Sequence, residues 1–212
     1  MARINLGILG GFSGKVGNVV GGAWKGIDYM RAKASSVANP RTVGQMNQRT
    51  RFSTILGFLK PITPFLRVGF KLFAVKQTAF NSAMSYNLAN AIIGEYPDIS
   101  VDLTSALVSR GNLTPIANAD ATIQDGTAQI TWDDNTGSGS AKANDKLLLV
   151  VYNSMKGEAT FETAGPDRSA GTFEIPLPAN WVGDDVDVYA GFISFDGKEV
   201  ANSVYLGQKT VA

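Results

Sequence analysis

Residues 146–153 read KLLLVVYN, and from Leu147 to Tyr152 every residue is apolar. A half-buried surface strand would alternate polar and apolar side chains, whereas an unbroken run this short reads as a central, buried strand. Around it the residue period is two. Candidate strands are 99–103, 106–109, 120–124, 127–132, 146–153, 158–162, 171–175, 185–194 and 199–206, separated mostly by Gly, Pro, Asn and Asp clusters. Asp196-Gly197, between the last two, is a hairpin signal. Short strands at this spacing predict an antiparallel β-sandwich of immunoglobulin or fibronectin type III kind. Trp132 falls at a strand end, and the Gly-Ser-Gly segment within 133–143 reads as an exposed, mobile loop.

Upstream of residue 99 the period is helical. Asn39-Pro40 suits a helix start, because Asn can cap free N–H groups and Pro loses no bond at the first helical position. A helix over 40–60 places Phe52, Ile55, Leu56 and Leu59 on one stripe. Pro61 and Pro64 end or kink it. A second helix over 76–93 carries Phe80, Met84, Leu88 and Ala91 or Ile92 on one face, with Gly94 as its C-cap. Asn81, Ser85, Asn87 and Asn90 are poor helix formers, so their presence predicts polar contacts with backbone or a neighbour.

Residues 1–38 are Gly-rich. Lys15–Val20 and Ala23–Ala32 read as a hairpin turning at Gly21-Gly22, with a flexible arm that orders on assembly as the competing reading. The fold class is therefore α+β. A basic N-terminal hairpin and helical region over 1–98 precedes an acidic β-sandwich domain over 99–212. No internal repeat relates the halves.

Charge is divided the same way. Residues 1–110 hold 13 Lys and Arg against 4 Asp and Glu, a net of +9. Residues 111–212 hold 6 against 14, a net of −8, and the two sum to the chain's +1. Such a split points to a partner for the basic half. The residues best placed to meet it are Lys15, Trp24, Lys25, Tyr29, Arg31, Arg41, Arg49 and Arg51. Protein docking is favoured over nucleic acid, which would use the same cations for phosphates and the same rings for stacking. No helix-turn-helix pattern surrounds Gln45, Asn47, Gln48 and Arg49, which argues against sequence-specific reading.

The chain has no Cys and no His, which removes disulfides, thiolate metal sites, the usual general base and the commonest transition-metal ligand. No enzyme, cofactor or metal is expected. Gly10 to Lys15 only partly resembles a phosphate loop, since Leu9 stands where the first Gly is needed and Val16 replaces the hydroxyl. Asp184, Asp185 and Asp187 lack calcium-loop spacing. Asp133 and Asp134 read as loop residues. Trp132 and Trp181 could stack a carbohydrate, although core positions suit them better. No run reaches the ~20 apolar residues a membrane helix needs. The N-terminal apolar stretch is broken by glycines, so a soluble protein made in the cytoplasm is expected.

The strings ILGGFSGKVGNVVGGAWKGIDYMR (8–31), ANPRTVGQMNQRTRFSTILGFLKPI (38–62), QTAFNSAMSYNLANAIIGEYPDI (77–99), LVSRGNL (107–113) and NSVYLG (202–207) resemble an uncharacterised family of Bacteroidota and phage-associated proteins of about this length. The resemblance covers nearly the whole chain and carries no catalytic residues. It implies a structural or interaction role. The expected function is a non-enzymatic structural protein of a phage particle or filament, self-assembling through basic-to-acidic contacts. A cytoplasmic nucleic-acid-binding protein is the alternative.

Overall fold

A computed structural model describes residues 3–4, 10–24, 26–36 and 39–212, in two units, Met1–Arg41 and Thr42–Ala212. The first unit is an antiparallel meander of four strands in sequence order: β1 (Arg3–Ile4), β2 (Phe12–Val16), β3 (Val19–Trp24) and β4 (Ile27–Ala32). Gly17 at φ 57° and Gly26 at φ 83° provide the positive φ that tight turns need, on either side of β3. The turn expected at Gly21-Gly22 is therefore displaced, and these glycines lie mid-strand. A Cβ on Gly21 would meet the Phe12 carbonyl oxygen at 2.1 Å, and one on Gly22 would meet the Tyr29 hydroxyl at 3.1 Å. The pair is small because neighbouring strands crowd its backbone, not because the chain reverses there.

In the second unit, helices α1 (Val43–Leu59), α2 (Thr63–Gly69) and α3 (Ala79–Asn90) come first. The Thr42 hydroxyl accepts from the Gln45 N–H at 3.4 Å and the Thr78 hydroxyl from the Asn81 N–H at 3.1 Å. These two threonines, rather than Asn39-Pro40 and Lys76, set the helix starts. Ile92–Ile93 leaves the helical path as β5 and pairs with β6 (Ser100–Val101), with Gly94 in left-handed geometry between them. Ile55, Phe58, Leu59, Ala83 and Met84 are buried, while Phe52 is exposed. The stripe expected on α1 is thus rotated toward Phe58.

Seven strands follow: β7 (Ala117–Gln124), β8 (Thr127–Asp133), β9 (Lys146–Asn153), β10 (Glu158–Glu162), β11 (Thr172–Pro176), β12 (Asp185–Ile193) and β13 (Val204–Thr210). They form two antiparallel sheets, ordered β11-β8-β7 and β10-β9-β12-β13. The apolar run is β9, central in its sheet as its sequence predicts. Leu147, Leu149 and Val151 enter a core with Ile130 and Trp132 of β8 and Val188 and Phe192 of β12. Leu148, Val150 and Tyr152 enter a second core with Phe58, Leu59, Phe65 and Leu66 of the helices. The run is continuous because both faces of β9 are covered, one by a sheet and one by helices. Each such aliphatic side chain contributes roughly 1.5–3 kcal/mol on burial. The helices are a layer of this unit, so the division expected at 98/99 falls inside it.

Segment 106–109, expected as a strand, is irregular because side chains replace the ladder. Buried Asn87 donates Nδ2 to the carbonyls of Ala83 and Leu107 and accepts the Leu107 N–H, each at 3.0 Å. The Ser203 hydroxyl accepts the Val108 N–H at 3.0 Å. The contacts expected of the Asn-rich helix are thus to backbone. Asp196-Gly197 turns as expected, with Gly197 at φ 66°, but the last strand runs from Val204 to Thr210.

Candidate interaction surface

Period-two alternation sorts the N-terminal sheet into two faces. The register places Lys15 beside Val20 and Val20 beside Arg31, Gly22 beside Tyr29, and Trp24 beside Ile27. Directly opposed residues share a face. One face therefore carries Lys15, Val20, Trp24, Ile27, Tyr29 and Arg31. Asp28, the sole acid of residues 1–41, is on the other with Met30. Trp24 is 69% exposed and Ile27 70%, and Lys15, Tyr29 and Arg31 are exposed too. A basic face with this much open aromatic and aliphatic surface marks an interaction site.

Of the eight residues expected at the partner contact, the structure brings Lys15, Trp24, Tyr29 and Arg31 together. Lys25 lies outside the described residues. Arg41 is exposed and precedes α1. Arg49 and Arg51 stand on α1 in the other unit, and Arg51 is half-buried, with Nη2 donating to the Leu88 carbonyl at 3.4 Å. Ile27 was missed. The signal for it was alternation continued from Trp24 across a two-residue connection.

Other cations of the basic half serve the fold. The Arg110 guanidinium lies 4.3 Å from the Phe73 ring centre and 4.7 Å from that of Tyr86, and Lys71 Nζ donates to the Gly197 carbonyl at 3.3 Å. Residues 1–41 hold Arg3, Lys15, Lys25, Arg31, Lys33 and Arg41 against Asp28, a net of +5 that leaves −4 for 42–212.

The acidic cluster at the start of β12 diverges, with Asp184 just before the strand and Asp185 and Asp187 within it. Asp184 pairs with Lys156 and accepts from Asn153 at 2.8 Å, and the Lys156 hydrogen bond holds its carboxyl below the usual range. Asp185 accepts from the Thr210 hydroxyl and Asp187 from the Tyr205 hydroxyl, each at 2.7 Å. Burial raises the pKa of Asp187. Among the described residues no group of three or more acidic side chains could hold a metal ion. Asp133 accepts from Asn118 and Asp134 from Thr136, so they do not form a carboxylate pair. Residues 12–16 form a strand, not a loop opening a helix, which removes the phosphate-cradle reading.

Trp132 and Trp181 are buried core residues, donating Nε1 to the Arg168 carbonyl at 2.7 Å and to Glu158 at 3.0 Å. That overturns the carbohydrate-stacking reading. A groove of about 410 Å³ beside α1 is lined by Phe58, Val101, Leu103 and Tyr152 with hydroxyls of Ser53 and Thr54. No carboxylate or cation lines it. Among the described residues no helix is long and apolar enough to cross a membrane.

The model of a family of unknown function, DUF6266, matches residues 11–207, and the chain belongs to that family. No curated protein matches the chain. Among solved structures, the chain is similar to the solution structure of the fn3 domain of human collagen alpha-1(XX) chain. The match covers 49% of this chain and 90% of that one, at 12% identity and a TM-score of 0.35.

Proposed function

We propose that this chain is a non-enzymatic structural protein that self-assembles through its N-terminal sheet, as a component of a phage particle or filament. One observation carries the reading: Lys15, Trp24, Ile27, Tyr29 and Arg31 share an exposed face of a sheet that, among the described residues, has no second layer within its own unit. A sheet ordinarily buries one face against another element. The receiving surface is the outer face of the β11-β8-β7 sheet on a neighbouring copy. It carries Asp133 and Glu174 on exposed positions, with Asp120 paired to Lys209 of β13 at 3.3 Å, and no Lys or Arg occurs in those three strands. The strand orders β11-β8-β7 and β10-β9-β12-β13 support reading these strands as a fibronectin type III-like sandwich. Head-to-tail contact of a basic face with an acidic one generates rings or filaments.

The same face supports a second reading. Lys15 and Arg31 with Trp24 and Tyr29 are what a single-stranded nucleic acid needs, cations for phosphates and rings for bases.

Light scattering after size exclusion at low and high salt, with absorbance at 260 and 280 nm, separates the two. Self-assembly predicts a large oligomer free of nucleic acid that shrinks as salt screens the contact. A monomer that carries nucleic acid at low salt and sheds it at high salt replaces the first reading with the second. Deleting residues 1–30 abolishes assembly; an unchanged oligomer size overturns the role of the sheet.

A further inference from the structure

We propose that strand β4 is a second assembly contact, pairing antiparallel with β4 of a second copy about a two-fold axis at Met30. The proposal rests on the self-assembly reading and adds an edge contact to the face contact described above.

The argument starts from hydrogen-bond parity. Only two residues separate Trp24 from Ile27, so Trp24 and Ile27 form a hydrogen-bonded pair, as the residues flanking a two-residue hairpin do. Pairs then alternate. Ile27, Tyr29 and Arg31 direct their N–H and C=O groups at β3. Asp28, Met30 and Ala32 direct theirs away from it. The bond from the Lys33 N–H to the Asn18 carbonyl, 2.7 Å, fits this parity. Strand β4 ends the sheet order, all six of its residues are exposed, and its pairing with β3 has no bulge. No proline interrupts it. Among the described residues, three outward residues therefore present a ladder with no strand paired to it, the feature that recruits another strand.

The chemistry of the edge selects its occupant. In antiparallel pairing outward residues must meet outward residues, so the numbers of paired residues sum to an even value from 56 to 64, and sums of 56 and 64 each leave two of the three outward residues of the strand unpaired. A sum of 60 sets Met30 against Met30, Asp28 against Ala32 and Ala32 against Asp28. These are three pairs with two bonds each, and all outward groups are satisfied. A sum of 58 leaves Ala32 unpaired, and 62 sets Arg31 against Arg31. The sum of 60 also places Tyr29 of each copy opposite Arg31 of the other on the basic face, a cation–π pairing formed twice. Asp28 faces Ala32 rather than another acid. The strand is complementary to itself in one register, as a two-fold contact requires.

The chain has no Cys, so single-cysteine variants report one position each. The intact protein is oxidised mildly and the covalent dimer measured on a non-reducing gel, at low and high salt. Met30→Cys is expected to link to itself. Asp28→Cys and Ala32→Cys are each expected to stay monomeric alone and to link when mixed. Ala23→Cys, exposed on the interior strand β3, is the baseline. The Met30→Cys yield holds or rises with salt, because two units of net +5 repel, whereas face docking weakens with salt. If Asp28→Cys links to itself, the register is wrong. If the protein remains oligomeric by light scattering and Met30→Cys links no better than Ala23→Cys, edge pairing is overturned while self-assembly stands. A protein that is monomeric at every concentration and unlinked overturns both.

Discussion

Arg168 and Asp145 meet as a wholly buried ion pair, with Nη2 and Nε of the guanidinium each 3.1 Å from Oδ2 of the carboxylate. The same guanidinium donates to the carbonyl of Thr114 at 2.9 Å and to Oδ1 of Asn135 at 2.6 Å, and its carbon sits 4.0 Å from the Phe192 ring centre. One side chain thus ties the loop after β8 to the segment before β7 and to the sandwich core. Arg168→Ala leaves a buried carboxylate uncompensated, and we expect a loss of about 3–5 kcal/mol in chemical denaturation. Arg168→Lys recovers little, since a point charge cannot serve three acceptors in different directions. A loss below about 1 kcal/mol, the range of an exposed pair, would show that the loop relaxes to let water in.

That loop shows where sequence reasoning stops. Residues 133–143 read as mobile from their Gly and Ser content, and nothing local reveals that Arg168 reaches Asn135 from another part of the chain. Strand β9 was legible because six apolar residues in a row have few other uses in a domain of this size. What covered its second face was not legible: Leu148, Val150 and Tyr152 carry no mark that helices rather than a third sheet lie above them. In the N-terminal sheet the rings and cations could be named from the sequence. Their sharing of one face depended on where the chain turned, and placing the turn at Gly21-Gly22 would have scattered them. Glycines chosen for close approach and glycines chosen for positive φ look alike in sequence.

The core of β9 gives a direct test of the layered arrangement. Leu149 faces the sheet of β8, and Leu148 faces the helices. Each is buried, so Leu149→Ala and Leu148→Ala are each expected to cost about 2–5 kcal/mol. If one costs little in a denaturation curve, the layer on that side is absent in solution.

Asp187 sets a pH dependence of known sign. Burial raises its pKa above the ordinary value, opposed in part by the hydrogen bond from Tyr205. The folded state therefore holds the proton more tightly than the unfolded chain does. Its contribution is full below the unfolded value of about 3.9 and is lost as pH rises through the folded pKa. Asp187→Asn keeps an acceptor for Tyr205 and removes the charge. The variant is expected to melt above the parent at pH 7, with the gap closing toward pH 4. Asp196, held at about 2 chiefly by its hydrogen bond from Ser194, and Asp184 act in the opposite sense in both proteins. The difference between the two melting curves therefore isolates Asp187. A parent more stable than the variant at pH 7 contradicts the assignment.

Charge and apolar area on the N-terminal face separate by their salt dependence. Lys15→Glu with Arg31→Glu reverses both charges of one row, and oligomer should be lost at low salt and change little at high salt. Trp24→Ala removes exposed ring area instead, weakening association about tenfold at either salt. Neither touches the core of the second unit, so its melting temperature is expected to stay within a degree or so of the parent. Equal salt sensitivity in all three proteins would place the contact elsewhere.

Two glycine-to-alanine changes should act with opposite sign. Gly57 lies on the exposed side of α1 in its last turn, and a Cβ there meets nothing within 4 Å. Gly57→Ala lowers the backbone entropy of the unfolded chain and favours the helix, a gain of about 0.5–1 kcal/mol. Gly21 sits in β3 with the Phe12 carbonyl oxygen 2.1 Å from where its Cβ would be, and with the Phe12 ring close behind at 2.6 Å. Backbone, unlike a flexible side chain, cannot step aside without opening the β2–β3 ladder. Gly21→Ala is therefore expected to abolish the oligomer seen by light scattering while the cooperative melt of residues 42–212 stays where it was. If the Gly21→Ala protein assembles as well as the parent, Phe12 is free to move and the packed sheet is not what the neighbouring copy recognises.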